Sequence, residues 1–213
     1  MTRIDSFQQC KQKTINMPDN CLHIGKFAVD RARRIARRAS RFCRLCVCAA
    51  IFTLTSCALS GVPDGITPVE DFELQRYLGT WYEIARLDHR FERGLSGVTA
   101  MYSLNDNGSV KVVNSGTSSK TGKKKSATGK ALFVGPASRG HLKVSFFGPF
   151  YGSYIIFELD KENYSHALVA GPSRKFLWVL ARGPDMDATT YDALLAKAQS
   201  NGFDVDKLIK VEH

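Results

Sequence analysis

Eight short apolar segments follow one another between residues 80 and 182. They are TWYEIARL (80–87), SGVTAMYSL (96–104), SVKVVNSG (109–116), SATGKALFV (126–134), HLKVSFF (141–147), SYIIFEL (153–159), HALVAG (166–171) and KFLWVLAR (175–182). Each is rich in β-branched or aromatic residues and is bounded by Gly, Pro, Asn or Asp, the mark of strands separated by turns. Asn107-Gly108 is the strongest hairpin signal, and GPASRG (135–140) and DKEN (160–163) supply further turns. Sequential strands on short links predict an eight-stranded up-and-down antiparallel sheet. Closing it into a β-barrel leaves no edge exposed. YIIF, ALVAG and FLWVL do not alternate cleanly between polar and apolar, as a half-solvated sheet would. That pattern fits strands with one face on an interior and the other partly covered.

The period then changes. In MDATTYDALLAKAQSNGF (186–203), Tyr191, Leu194, Leu195 and Ala198 recur at i, i+3, i+4 and i+7, one face of a helix over 187–201. Asp187 is placed to cap its start, Met186 and Tyr191 to staple it, and Gly202 to end it in a left-handed conformation. DKLIKV (206–211) predicts a terminal strand. Upstream, FELQRYL (72–78) has enough apolar positions for one helical turn. Residues 58–71 read as a tether, flexible because GVPDGITPVED (61–71) carries two prolines and two glycines. The fold class is therefore all-β with one C-terminal helix, the barrel domain spanning 72–213.

Charge divides the chain. The formal net charge is +10, yet residues 1–57 hold eleven of the 30 Lys and Arg and only three of the 20 Asp and Glu. The remaining 156 residues carry a net charge near +2, which gives no reason to expect nucleic-acid binding. All six cysteines, from Cys10 to Cys57, also lie in residues 1–57. The barrel region thus has no cysteine for a disulfide, a thiolate metal site or a nucleophile.

RARRIARRASRFCR (31–44) followed by LCVCAAIFTL (45–54) has the layout of a secretory signal, a cationic stretch before a short apolar one. Ten helical residues span about 15 Å, half of a bilayer core, so this is not a spanning helix. Residues 1–25 are surplus to such a signal, and starts at Met17 or Val29 are alternatives. Leu54-Thr55-Ser56-Cys57 resembles the lipobox of bacterial lipoproteins. The resemblance implies cleavage before Cys57, a diacylglyceryl group on its thiol and acylation of the new amino terminus. Several acyl chains make a durable anchor at about 0.8 kcal/mol per buried CH₂. Ala58 rather than Asp after the cysteine implies, by the same resemblance, the outer membrane.

LGTWYEIARL (78–87) with Gly79 and Trp81, the order of eight strands then a helix, and Arg182 in WVLARGP resemble the lipocalin family. GTWYEIARLDHRFERGL, LKVSFFGPFYG and ALVAGPSRKFLWVLAR are similar to the bacterial lipocalins of the outer-membrane lipoprotein Blc type. The second general lipocalin signature is less clear than the first and third. The resemblance covers roughly residues 68–213. It implies that Gly79, Trp81 and Arg182 close the narrow end of the barrel. It also implies a membrane-anchored protein on the periplasmic face that binds a fatty acid or lysophospholipid for storage or transport in envelope maintenance.

Strand phase selects the cavity candidates. If Trp81 points inward, so do Glu83 and Ala85, and an inward Arg182 brings Leu180 and Trp178 with it. In the sixth strand Tyr154 and Ile156 are favoured over Ile155 and Phe157. Glu83 is the one inward acid, placed either to bond within the barrel or to meet a ligand. Apolar walls with a few polar groups suit an acyl chain with a polar head. PFYG (149–152) reads as a lipid-facing rim, a homodimer contact or a turn held by packing. KTGKKK (120–125) reads as a solvated basic tip. His89, His141, His166 and His213 share no metal-ligand spacing, and no cofactor is expected. The alternative function is a lipid isomerase or hydrolase on the same barrel. An enzyme needs an activated nucleophile or an acid–base pair. The barrel region offers no cysteine, no Gly-x-Ser-x-Gly and no evident Asp/Glu–His grouping, so no catalytic residue is expected.

Overall fold

The structure, a computed structural model, describes residues 61–213. The leader, the lipobox with Cys57 and residues 58–60 of the tether lie outside the described residues. A one-turn helix α1 (Leu74–Tyr77) leads into the strands β1 (Gly79–Leu87), β2 (Leu95–Leu104), β3 (Val110–Ser118), β4 (Lys124–Phe133), β5 (His141–Phe147), β6 (Phe150–Leu159), β7 (His166–Ala170) and β8 (Leu177–Ala181). Helix α2 (Ala188–Ser200) and a 3₁₀ turn (Val205–Lys207) precede β9 (Leu208–Lys210).

Each strand pairs antiparallel with the next, and β1 pairs with both β8 and β2, which closes an eight-stranded barrel. The closure is shared along β1. Gly79 to Tyr82 pair with β2, whereas Ala85 to Leu87 pair with β9. The chain terminus continues this seam: Val211 donates to the Ile84 carbonyl and Gly97 donates to the Glu212 carbonyl. Gly97 sits at φ +56 in a bulge of β2, a backbone position that favours glycine.

The barrel has two apolar clusters separated by its wall. The inner one contains Trp81, Tyr102, Val110, Val112, Ala131, Leu142, Ile156, Val169 and Leu180. The outer one joins Ala85, Ile155, Phe157, Leu168, Leu177 and Val179 to Leu194 and Ala198 of α2 and to Phe203. Each fully buried aliphatic side chain there stabilises by about 1.5–3 kcal/mol. Strand β7 is covered on both faces, with Ala167, Leu168, Val169 and Ala170 all buried, which is why its sequence does not alternate. Asp187 caps α2 by accepting from the Thr190 amide at 2.9 Å, and Gly202 ends it at φ +79.

The flexible-tether expectation fails for residues 61–71. Ile66 is buried in the outer cluster, Val69 donates to the Ile156 carbonyl, and Gly140 donates to the Val69 carbonyl. Arg174 binds the Asp64 carbonyl as well. Prolines and glycines shape this stretch, but its buried Ile66 and its hydrogen bonds tie it to the barrel.

Candidate functional site

The turns at 105–109, 134–140 and 160–165 lie at one end of the barrel, with α1 and Arg182; those at 88–94, 119–123 and 171–176 lie at the other. The first end is closed. The Arg182 guanidinium lies 4.1 Å from the centre of the Trp81 ring, and Trp81 is fully buried. Arg182 donates to three carbonyls, those of Tyr164, Thr80 and Arg76. Gly79, at φ +96, lets this guanidinium approach: a Cβ there would stand 3.4 Å from Arg182 Nη1. Trp81 donates to the Tyr77 carbonyl, and its ring meets Tyr77 at 4.6 Å. Tyr164 takes a left-handed φ of 54°, unusual for an aromatic, and is held there because its hydroxyl accepts from the Glu73 amide. In the adjoining turn, hydrogen bonds from Ser165 and from backbone amides outweigh partial burial and bring the Asp160 carboxyl down to about 2.

Away from this floor the inner face is not filled. Ala100, Val144, Phe146, Tyr154 and Trp178 pack with the inner cluster yet remain only partly buried. Solvent-accessible surface on the concave side of a closed barrel is what a binding space presents. Phe146 is seated by Gly129, where a Cβ would fall 2.8 Å from its ring.

The open half holds a buried charged cluster. Arg86 Nη1 donates to Glu83 Oε1 at 2.6 Å and Nη2 to the Glu92 carbonyl at 2.8 Å. Trp178 Nε1 donates to Glu92 Oε2 at 3.1 Å, Asn114 Nδ2 lies 3.3 Å from Glu92 Oε1, and His89 Nε2 is 3.0 Å from Glu92 Oε2. Burial, and then the Glu92 carboxylate beside it, raise the Glu83 carboxyl well above its ordinary value. Burial would raise Glu92 too, but hydrogen bonds from His89 and Trp178 outweigh it and hold Glu92 below its ordinary value.

The model of the lipocalin-like domain matches residues 72–213 of this chain. The chain belongs to the lipocalin family. This lipocalin is 53% identical over 152 residues to the outer membrane lipoprotein Blc of Vibrio cholerae, covering 71% of the chain and 89% of that relative. It is 51% identical over 163 residues to the outer membrane lipoprotein Blc of Escherichia coli K12, covering 76% of the chain and 92% of the relative. Temperature-induced lipocalin-1 of Arabidopsis thaliana is 36% identical over 151 residues, with 67% and 80% covered. Among solved structures, insecticyanin of the tobacco hornworm aligns with a TM-score of 0.58 at 21% identity, over 72% of this chain and 87% of that one, a likeness of fold alone. The similarity to Blc-type lipocalins read from the strand sequences holds, and the chain is a lipocalin ligand-binding protein.

Of the residues expected on the inner face of this lipocalin, the structure places Glu83, Tyr154, Ile156, Trp178 and Leu180 there, beside Trp81. Ala85 is a correction. Leu180 pairs with Glu83 and the next residue, Val179, pairs with Ala85, so Ile84 is an extra residue in β1. The bulge reverses the alternation, sends Ala85 to the outer cluster and turns Arg86 inward. A second correction concerns acid–histidine groupings. His89 and Glu92 lie in the β1–β2 loop, and the loop folds back to set both beside Trp178. Of the two choices for Glu83, the structure has the bond within the barrel, to Arg86. PFYG is not a turn held by packing at Phe150, which is 67% exposed beside Phe147 at 77%. Arg86, Glu92, Asn114, Tyr77 and Tyr102 were not anticipated. Tyr102 and Asn114 sit on inward positions that strand phase alone would have marked.

Proposed function

We propose that this lipocalin is an outer-membrane lipoprotein, anchored through acylated Cys57 on the periplasmic face, that binds a long-chain lipid in its barrel. The ligand class is a fatty acid or lysophospholipid, carried or stored in maintenance of the envelope. The observation behind this reading is the inner face itself. Apolar side chains from β2, β5, β6 and β8 keep accessible surface inside a closed wall, with one polar cluster in the open half. About fifteen buried methylenes would contribute on the order of 10 kcal/mol before association costs are subtracted. The relatives named outer membrane lipoprotein support the anchor, as does the lipobox ending at Cys57. Phe147 and Phe150 offer an apolar edge for a second copy of the chain.

The test is to purify residues 58–213 and identify co-purifying lipids by mass spectrometry, beside a Trp178→Leu variant. Saturable lipid binding, weakened in the variant and without product formation, is expected. A barrel that takes up no lipid at any concentration would sink the proposal. A second reading, a lipid isomerase or hydrolase, draws on the Glu83, Glu92 and His89 grouping. Against it, Glu92 is engaged by Asn114, Trp178 and His89, and Glu83 by Arg86. Product formation that disappears in Glu83→Gln would establish the enzyme instead.

A further inference from the structure

Three tyrosines from separate elements meet inside the barrel. The Tyr154 hydroxyl of β6 lies 2.8 Å from that of Tyr77, at the end of α1, and 2.7 Å from that of Tyr102, on β2. Three hydroxyls bring three protons, but two contacts engage only two of them. Whichever way the donors point, one phenolic proton is left over, and among the described residues no carboxylate or carbonyl accepts it. Burial raises all three hydroxyls well above the ordinary tyrosine value, so the triad stays a donor rather than releasing that proton. Phenylalanine would fill these positions with the same rings and no polar group to desolvate. Tyr77 and Tyr102 are buried, whereas Tyr154 is partly buried on the inner face, so of the three it is the one a ligand can meet.

We propose that Tyr77, Tyr154 and Tyr102 form a donor subsite for an uncharged oxygen, a hydroxyl or carbonyl, on the buried end of the ligand. The subsite rests on the carrier reading above and narrows it: an ionised fatty acid has no uncharged oxygen to offer, whereas the glycerol hydroxyl and ester carbonyl of a lysophospholipid are such oxygens. The Tyr77 ring packs tilted against Trp81, its centre 4.6 Å away, so the triad stands directly above the floor. The cation nearest that floor, Arg182, lies against the Trp81 ring with its donors on three backbone carbonyls. Arg182 is near enough to act on the Tyr77 hydroxyl, but with those donors engaged it makes no ion pair there, whereas a neutral oxygen needs only the spare proton.

Calorimetric titration of the full chain with 1-decanol, decane and decanoate tests this, with wild type beside the triple variant Tyr77→Phe, Tyr102→Phe, Tyr154→Phe. Decanol is expected to bind wild type better than decanoate. It is expected to weaken about fivefold in the triple variant, which alone leaves no phenolic proton, the worth of one net hydrogen bond, while decane is unchanged. Equal changes for decanol and decane, or none, overturn the subsite while leaving the carrier intact. Preference for decanoate overturns the uncharged acceptor. Failure of all three to bind wild type overturns the carrier reading and the subsite together. Unfolding temperatures show whether the triple variant is folded, and the ranking of decanol above decanoate in wild type is read without it.

Discussion

The two ends of the barrel solve the problem of buried polarity in opposite ways. At the closed end the cation Arg182 meets no acid among the described residues; it is shared among three backbone carbonyls and an indole face. In the open half the groups are side chains facing side chains, Glu83 and Arg86 against Glu92, His89, Asn114 and Trp178. Backbone carbonyls cannot change their charge, so the anchoring of Arg182 is the same at every ordinary pH. Carboxyls can, so the open half responds to pH. A floor built to stay shut and an entrance that can adjust are what a container with one opening requires.

The largest effect is expected at the floor. Trp81→Ala removes a fully buried ring and should cost about 3–5 kcal/mol in denaturant unfolding. Trp178→Ala, in the open half and half-exposed, should cost clearly less and act mainly on ligand affinity. Equal losses at the two would erase the distinction between the ends. Arg182→Met leaves three carbonyls short of donors, and a loss of about 2 kcal/mol is expected in the same assay, with no dependence on pH between 5 and 8.

The open half should titrate, and its two acids should titrate in opposite senses. Glu83 has its carboxyl raised in the folded state. Its contribution is therefore complete below the unfolded value of about 4.3 and is lost as pH rises through the folded one. Glu92 is lowered, so its contribution is present above about 4.3 and is lost as pH falls through the folded value. Melting temperature against pH should accordingly fall less steeply on the alkaline side in Glu83→Gln and less steeply on the acid side in Glu92→Gln. Parallel curves for wild type and both variants would remove the paired-acid description. The smallest effect is expected at the outer edge. Phe147→Ser, at an exposed position, should leave unfolding within about 0.5 kcal/mol of wild type.

Much of the wall was legible in advance. Turn residues and apolar period place eight strands within a few residues of where they lie, and the Asp187 cap and Gly202 stop bound the helix as expected. Within β1 the inner face was legible only up to the bulge. Alternation marks Trp81 and Glu83, but the extra residue Ile84 reverses it, so Ala85 and Arg86 exchange faces. A bulge has no period of its own and leaves no trace in alternation. The stretch 61–71 carried the composition of a linker while its packing is that of a structural segment.

The sequence by itself determined the strand count, the order of elements and the helix, because period, turns and caps are properties of neighbouring residues; the trio Gly79, Trp81 and Arg182 was marked by the resemblance to the lipocalin family. Only the tertiary structure decided that the β1–β2 loop brings Glu92 beside Glu83, or that Tyr77, Tyr102 and Tyr154 share one hydrogen-bonded chain. Those contacts depend on register and on how the sheet closes. Register is set by the packing of the whole wall, so no single stretch of the chain records it.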